Sequence, residues 1–144
     1  MAERRRILVT VGTSDAVFAL FESESPEAAD ALWDTLPIEG ELVHGKWSGS
    51  ACWAKTDRVP LAGLARLECP VSSVYPGMLV LRTAAQHGGL AELLFSYGVA
   101  ECRTPVGRNY GTLLAEVVEG HEQLFAALAS TWTGTAQSIR IRRA

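Results

Sequence analysis

The chain has 144 residues, of which 48% are hydrophobic and 20% are charged, and its formal net charge is -3. This hydrophobic content excludes an intrinsically disordered chain, and the slight acidic balance excludes the strongly basic surface of a typical nucleic-acid-binding protein. A chain of this length can bury one sizeable core without disulfides. We therefore expect a single domain over residues 1–144 and no nucleic-acid partner.

The three cysteines, Cys52, Cys69 and Cys102, include no CxxC pair and have no histidine at metal-ligand spacing. An odd number of cysteines also argues against a secreted disulfide framework. The apolar run that follows Arg4 to Arg6 is too short for a signal peptide, and nothing in the sequence reaches the roughly 18 apolar residues of a membrane span. We expect a cytoplasmic protein with reduced thiols, no metal, no cofactor and no membrane contact.

The chain opens with alternating apolar residues over residues 6–11, a turn, and a second apolar segment over residues 16–22, which together predict a β-hairpin. A helix is predicted next. Ser25 suits its N-cap, Pro26 its first position, and Pro37 its end.

The rest of the chain predicts further short strands, one long loop and a second helix. Strands are predicted at residues 43–47, 51–54, 78–82, 91–96, 99–103, 113–119 and 137–142, with a tight turn at 48–50, a loop at 56–75, a hairpin turn at Tyr97-Gly98, and a helix from Gly120 whose face carries His121, Leu124, Phe125 and Leu128. About eight strands that are adjacent in sequence, without βαβ alternation, favour a mostly antiparallel barrel with two helices.

Several phrases at these positions resemble the cyclophilin-like barrels: SPEAADALWDTLP over 25–37, VHGKWSGSACW over 43–53 and VVEGHEQLFAAL over 117–128. The phrases LVHGKWSGSACW, VYPG and AELLFSYG are similar to an uncharacterised bacterial branch of that superfamily, a domain of unknown function. The resemblance implies a closed cyclophilin-like barrel of eight strands capped by helices, and it implies no activity.

Cyclophilin-type prolyl isomerases carry a Phe-His-Arg strand followed by Phe-x-x-Gln-Gly-Gly-Asp. Here the matching stretch is Val43-His44-Gly45-Lys46, and the Gln-Gly-Gly-Asp segment is missing. Because lysine lacks the planar fork of donors that arginine provides, this substitution argues against prolyl isomerisation.

Polar and aromatic residues from distant parts of the sequence form the candidate site. They are His44, Lys46, Trp47 and Ser48 on one predicted hairpin, Tyr75 after the long loop, Glu92 and Tyr97 near the next hairpin, and Asn109 in a glycine-flanked loop. Strand ends and turns of a barrel are common positions for a site, so we hypothesise that these side chains meet in one pocket. His44 and Glu92 would then form an acid-base pair. The alternative is structural: a histidine held by hydrogen bonds, and aromatic residues that fill the interior or anchor loops.

Three hypotheses about function remain open from the sequence. The first is a protein that binds a small carboxylate- or amide-bearing metabolite, with or without acid-base catalysis. The second is a diverged prolyl isomerase or peptide-binding module. The third is a ligand-free barrel that assembles into a homo-oligomer through apolar surface near Trp132.

Overall fold

The computed structural model describes residues 3–83, 90–104 and 107–144. The structure is mostly β, with helix α1 over Pro26–Thr35 and helix α2 over His121–Ser130. The strands are β1 (Arg6–Val11), β2 (Ser14–Leu20), β3 (Ile38–His44), β4 (Gly49–Thr56), β5 (Pro70–Val71), β6 (Ser73–Val74), β7 (Met78–Arg82), β8 (Ala91–Glu101), β9 (Arg103–Thr104), β10 (Gly107–Arg108), β11 (Gly111–Glu119) and β12 (Gln137–Arg143).

Eight of these strands form a closed antiparallel barrel. Their order around the barrel is β2-β1-β12-β3-β4-β8-β7-β11, and the pairing of β11 with β2 closes it. Closure leaves none of the eight strands as an open edge, which removes the unpaired backbone groups that would otherwise promote aggregation. The prediction of an eight-stranded antiparallel barrel with two helices is confirmed.

Helix α1 begins at Pro26, as the sequence predicts, but Ser25 does not cap it with its side chain. The Ser25 hydroxyl instead donates a hydrogen bond to the Leu113 carbonyl oxygen, 2.6 Å away on β11. This bond ties the start of the helix to the barrel wall. The apolar face of α1 is buried, with Ala29 and Leu32 fully enclosed.

The predicted hairpin around Tyr97-Gly98 is wrong, because β8 runs without interruption through both residues. It pairs with β4 on one side and with β7 on the other. Gly98 is needed there for close packing: a Cβ at this position would lie 2.7 Å from the Cβ of Ser50. The glycine therefore marks the close approach of a neighbouring strand, a known use of glycine inside sheets.

Side chains alternate between the two faces of the barrel wall. The inner face of the neighbouring strands β4, β8 and β7 carries Cys52, Ala54, Ala91, Leu93, Phe95, Leu79 and Leu81, which belong to the main core. The outer face carries a smaller apolar group, the outer cluster, made of Ala51, Val74, Val80, Leu94, Ala100 and Cys102. Because the period of a strand is two, each residue on these strands can be assigned to one face by its position.

Helix α2 packs against the barrel through Leu124 and Leu128, which are both buried. The sequence places His121 on the same helical face as these two leucines, which predicts a buried side chain, but His121 is exposed. It stands in the first turn, where its ring meets the edge of Phe125 at a centroid distance of 6.2 Å. Among the residues that the structure describes, no helix is long and apolar enough to cross a membrane.

Candidate functional site

His44 lies at the end of β3 and is 5% exposed. His44 is two residues after Leu42 on β3, so both side chains lie on the same face of the strand. Leu42 belongs to the main core, and the imidazole is therefore directed into the barrel. Its Nε2 atom lies 2.7 Å from the hydroxyl oxygen of Tyr97, at hydrogen-bond distance. Its Nδ1 atom is buried and has no hydrogen-bond partner among the described residues. One ring nitrogen is thus held in place while the other keeps an unused hydrogen-bonding position.

Trp132 packs against this imidazole, and Lys46 lies over Trp132. The ring of Trp132 meets the His44 ring edge to face at a centroid distance of 4.7 Å. The Lys46 ammonium group lies 5.0 Å from the centre of the Trp132 ring, within the range of a cation-π contact. Trp132 is 48% exposed. We call His44, Lys46, Tyr97 and Trp132 the His44 cluster.

Backbone geometry explains how two segments far apart in sequence meet here. A tight turn joins β3 to β4, closed by hydrogen bonds from the Ser48 amide to the Gly45 carbonyl oxygen and from the Gly45 amide to the Ala51 carbonyl oxygen, both 2.8 Å. This turn carries Lys46. Trp132 belongs to the turn that follows α2, and that end of the helix is attached to the barrel by Cys52, whose Sγ lies 3.2 Å from Thr131 Oγ1.

Burial controls the protonation of this cluster. Desolvation lowers the pKa of His44 below its ordinary value, and the positive charge of Lys46 lowers it further. Burial also raises the pKa of Tyr97, and raises that of the Cys52 thiol to about 11. At neutral pH, therefore, the cluster presents a neutral imidazole, a neutral phenol and a neutral thiol beside one ammonium group.

This arrangement predicts a specific dependence of stability on pH. Because the pKa of His44 is lower in the folded protein than in the unfolded chain, the unfolded chain binds more protons in that interval. The stability that neutral His44 contributes is present above about pH 6.5 and is lost as the pH falls through the folded-state pKa. Urea unfolding of His44→Gln should show a weaker decrease of stability on acidification than the unmodified chain shows.

His121→Gln, the same change at an exposed histidine outside the His44 cluster, serves as the control. Parallel profiles for His44→Gln and the unmodified chain would contradict the prediction.

The structure does not bring Glu92 to His44. Glu92 is five positions before Tyr97 on β8, so it has the opposite parity and lies on the outer face. The register pairs Cys52 with His44 and Lys55 with Glu92. Cys52 and Lys55 are three residues apart on β4, which corresponds to about 10 Å. The hypothesised acid-base pair is therefore separated by the barrel wall.

The other predicted site residues also lie away from the imidazole. Trp47 is exposed and faces Trp53, with ring centroids 6.3 Å apart. Ser48 is buried, and its carbonyl oxygen accepts a hydrogen bond from the Glu101 amide. Asn109 stands over Cys102, donating its backbone amide to the Cys102 carbonyl oxygen at 2.8 Å. Of the predicted set, only His44, Lys46 and Tyr97 form one cluster.

Tyr75 is 70% exposed and borders a separate depression of about 380 Å³. The other residues around this depression include Phe21, Glu116, Val117 and His121. Gly77 also lines it, with a φ angle of +85°, a conformation that favours glycine. Tyr75 therefore belongs to a surface distinct from the His44 cluster.

Sequence reasoning missed two residues that the structure makes prominent. Trp132 is brought to His44 only by the packing of α2, and no local pattern signals it. Arg82 is the last residue of an apolar strand, yet it is 1% exposed and lies 3.6 Å from the Glu92 carboxylate. The detectable signal was one isolated charge in each of two apolar strands, MLVLR and AELLF.

Within the described part of the chain, no three His, Cys, Asp or Glu side chains lie close enough together to hold a metal ion.

Two solved structures share this fold at low sequence identity. The structure of McbB in complex with tryptophan superposes with a TM-score of 0.76 and 19% identity over 95% of this chain, which spans 44% of the McbB chain. The solution structure of the hypothetical protein AF2241 from Archaeoglobus fulgidus gives a TM-score of 0.64 and 19% identity, covering 100% of this chain and 98% of that one. At this identity the similarity establishes the fold.

No curated protein matches the sequence. Residues 7–142 match a family described as proteins of unknown function, DUF3830. The match spans nearly all of the barrel, from β1 to β12. The chain therefore belongs to the DUF3830 family.

Proposed function

We propose that this protein binds a small molecule that carries a carboxylate group, at the His44 cluster. The observation that carries the proposal is the Nδ1 atom of His44, which is buried and has no partner among the described residues. A buried polar atom without a partner costs free energy, and such atoms in native proteins often mark the place of a ligand or an ordered water. A ligand that hydrogen-bonds to Nδ1 would remove this cost.

The surroundings of His44 indicate the kind of ligand. Lys46 supplies a positive charge that attracts a carboxylate, and Trp132 supplies a flat apolar surface. Tyr97 fixes the imidazole so that Nδ1 keeps one direction. This combination suits an amino-acid-sized molecule with an acidic group and a ring. The complex of McbB with tryptophan, a ligand of this type, supports the proposal because McbB contains a barrel of similar shape.

In this proposal His44 acts through hydrogen bonding. Its lowered pKa keeps it neutral, and the carboxylate that was expected to assist it, Glu92, lies on the other face of the wall. A relationship to the cyclophilin-like superfamily is a separate proposal. Peptide binding and assembly into a homo-oligomer are alternative proposals for the function.

Thermal denaturation with L-tryptophan, L-tryptophanamide and benzoate tests the proposal. We expect the two carboxylates to raise the melting temperature in a saturable way and the amide to raise it less, since a ligand that binds only the folded state stabilises it. His44→Ala and Lys46→Ala should lose most of the effect.

Arg143→Ala is a matched control for Lys46→Ala. Each cation stacks on a tryptophan, with the Arg143 guanidinium 4.7 Å from the Trp33 ring centre and the Lys46 ammonium 5.0 Å from that of Trp132, but Arg143 lies outside the His44 cluster. Arg143→Ala should keep the full response to ligand. If none of the three compounds stabilises the unmodified chain, or if Lys46→Ala and Arg143→Ala respond equally, the proposal fails.

A further inference from the structure

Arg82 is buried on the outer face of the barrel with part of its guanidinium group unused. The side chain is 2% exposed. Its Nη1 atom donates a hydrogen bond to the Arg103 carbonyl oxygen at 2.9 Å and lies 3.6 Å from Glu92 Oε1. Its Nε and Nη2 atoms, in contrast, are buried without a hydrogen-bond partner among the residues that the structure describes.

The two unpartnered atoms, Nε and Nη2, lie on the same edge of the guanidinium group. The N–H bonds of Nε and Nη2 point in parallel along one edge of the planar guanidinium group. This edge matches the two oxygens of a carboxylate, which it binds through two parallel charge-assisted hydrogen bonds. Arginine carries a permanent positive charge, and two of its donors are buried here without a partner among the described residues. The desolvation free energy that this costs is larger than the cost of one buried backbone amide without a partner.

The charges around Arg82 favour a single negative charge in this place. The strand register aligns Lys55, Glu92 and Arg82 in one row across β4, β8 and β7, on the outer face. Two cations and one carboxylate leave one positive charge in the row. The single charge of a monoanion neutralises this net positive charge, whereas a dianion such as phosphate would leave a net negative charge in the row.

We propose that the Nε and Nη2 edge of Arg82 is a binding site for one carboxylate group, separate from the His44 cluster. Cys102 of the outer cluster is close enough to Arg82 for the guanidinium charge to act on the pKa of its thiol, lowering it against the larger increase that burial causes. The strand β7 fixes the backbone of Arg82, and the bond from Nη1 to the Arg103 carbonyl oxygen fixes the plane of the guanidinium group. The orientation of the unused edge is therefore set before any ligand arrives, which lowers the entropy cost of binding.

Sodium acetate is the probe for this site, with sodium chloride as the control for ionic strength. In the unmodified chain labelled with ¹⁵N-arginine, we expect acetate to shift the Arg82 Nε–Hε resonance in a saturable way, and chloride to leave it in place. Saturation transfer from the protein to the acetate methyl group gives a second readout. An Arg82 resonance that does not respond to acetate, as expected if only a buried water meets these donors, would overturn the proposal.

Two variants change the site in opposite directions. Arg82→Lys keeps a positive charge but removes the planar fork, so acetate binding should weaken by about tenfold or more. Glu92→Gln keeps the shape of the neighbour and removes its negative charge, so acetate should bind several-fold more tightly. This second variant keeps the test decisive even if Arg82→Lys fails to fold. Weaker binding to Glu92→Gln than to the unmodified chain would count against the site.

Controls separate this site from other anion-binding surfaces. Arg108→Lys changes an exposed arginine that pairs with Glu101 at 2.8 Å, and it should bind acetate as the unmodified chain does. In His44→Gln, acetate should shift the Arg82 Nε–Hε resonance at the same concentrations as in the unmodified chain. Because this resonance reports only the Arg82 site, failure of the His44 proposal does not affect this one, and failure at Arg82 does not affect the His44 proposal. Inorganic phosphate that binds more tightly than acetate would contradict the assignment of a monoanionic carboxylate.

Discussion

Replacing Arg82 with alanine should lower the free energy of unfolding by about 3–5 kcal/mol, the usual cost of removing one partner of a buried ion pair. The cost arises because Glu92, which is itself buried, loses the guanidinium group that lies 3.6 Å from its carboxylate. Urea denaturation monitored by tryptophan fluorescence measures the change. A loss below about 1 kcal/mol, the size typical of exposed pairs, would show that the pair is not buried in solution.

The destabilisation caused by Arg82→Ala should depend on pH. Burial raises the pKa of Glu92 in the folded protein, and Arg82 opposes that increase. Without Arg82 the folded-state pKa rises further, so the folded variant takes up a proton more readily than the unfolded chain. The destabilisation by Arg82→Ala should therefore shrink as the pH falls towards the ordinary pKa of glutamate, about 4.3, and grow above it.

The double variant Arg82→Met with Glu92→Leu provides the matched control. It removes both charges and fills the space with apolar side chains, which in buried ion pairs is often neutral or stabilising. We expect it to be more stable than Arg82→Ala while it loses the proposed carboxylate site. The double variant would then be stable but unable to bind acetate. A purely structural role of Arg82 does not predict this loss of binding in a stable protein.

The sequence was sufficient for the fold because its information is local and repeated. Alternation in β1 and β12, the glycine turns and the proline boundaries of α1 each identify one element, and strands that follow each other in sequence pair as hairpins. The interruption placed at Tyr97-Gly98 shows the limit of such reasoning. A glycine required by the approach of Ser50 looks the same in sequence as a glycine required by a turn.

That one error also explains why the candidate site was only partly predicted. If β8 is taken as a single strand, Glu92 and Tyr97 differ by five positions and must face opposite sides of the wall. With a turn assumed between them, their relative direction is undefined, and both could be assigned to one pocket. The proximity of Trp132 to His44 depends on how α2 packs across the barrel, and it could not be predicted from either segment alone.

Phe95→Ala should destabilise the protein by about 3–5 kcal/mol, as truncation of a fully buried phenylalanine usually does. Phe95 is 0% exposed and meets Phe18 edge to face across the barrel interior, with ring centroids 5.8 Å apart. The lost ring leaves a cavity in the main core that closed strands cannot collapse to fill. Phe95→Leu, which keeps most of the volume, should cost about 1 kcal/mol.

The position of Phe95 gives this substitution a functional consequence. Phe95 pairs in register with Cys52, whose Sγ lies 3.3 Å from the Leu128 carbonyl oxygen and 3.2 Å from the Thr131 hydroxyl oxygen. Those contacts hold the end of α2, and with it Trp132, over His44. A cavity beside Cys52 loosens this attachment, so Phe95→Ala should weaken the stabilisation by L-tryptophan more than Phe95→Leu does. Acetate binding at Arg82, on the outer face, should persist in both variants while they remain folded. Equal loss at both sites would mean that the two faces of the wall do not act independently.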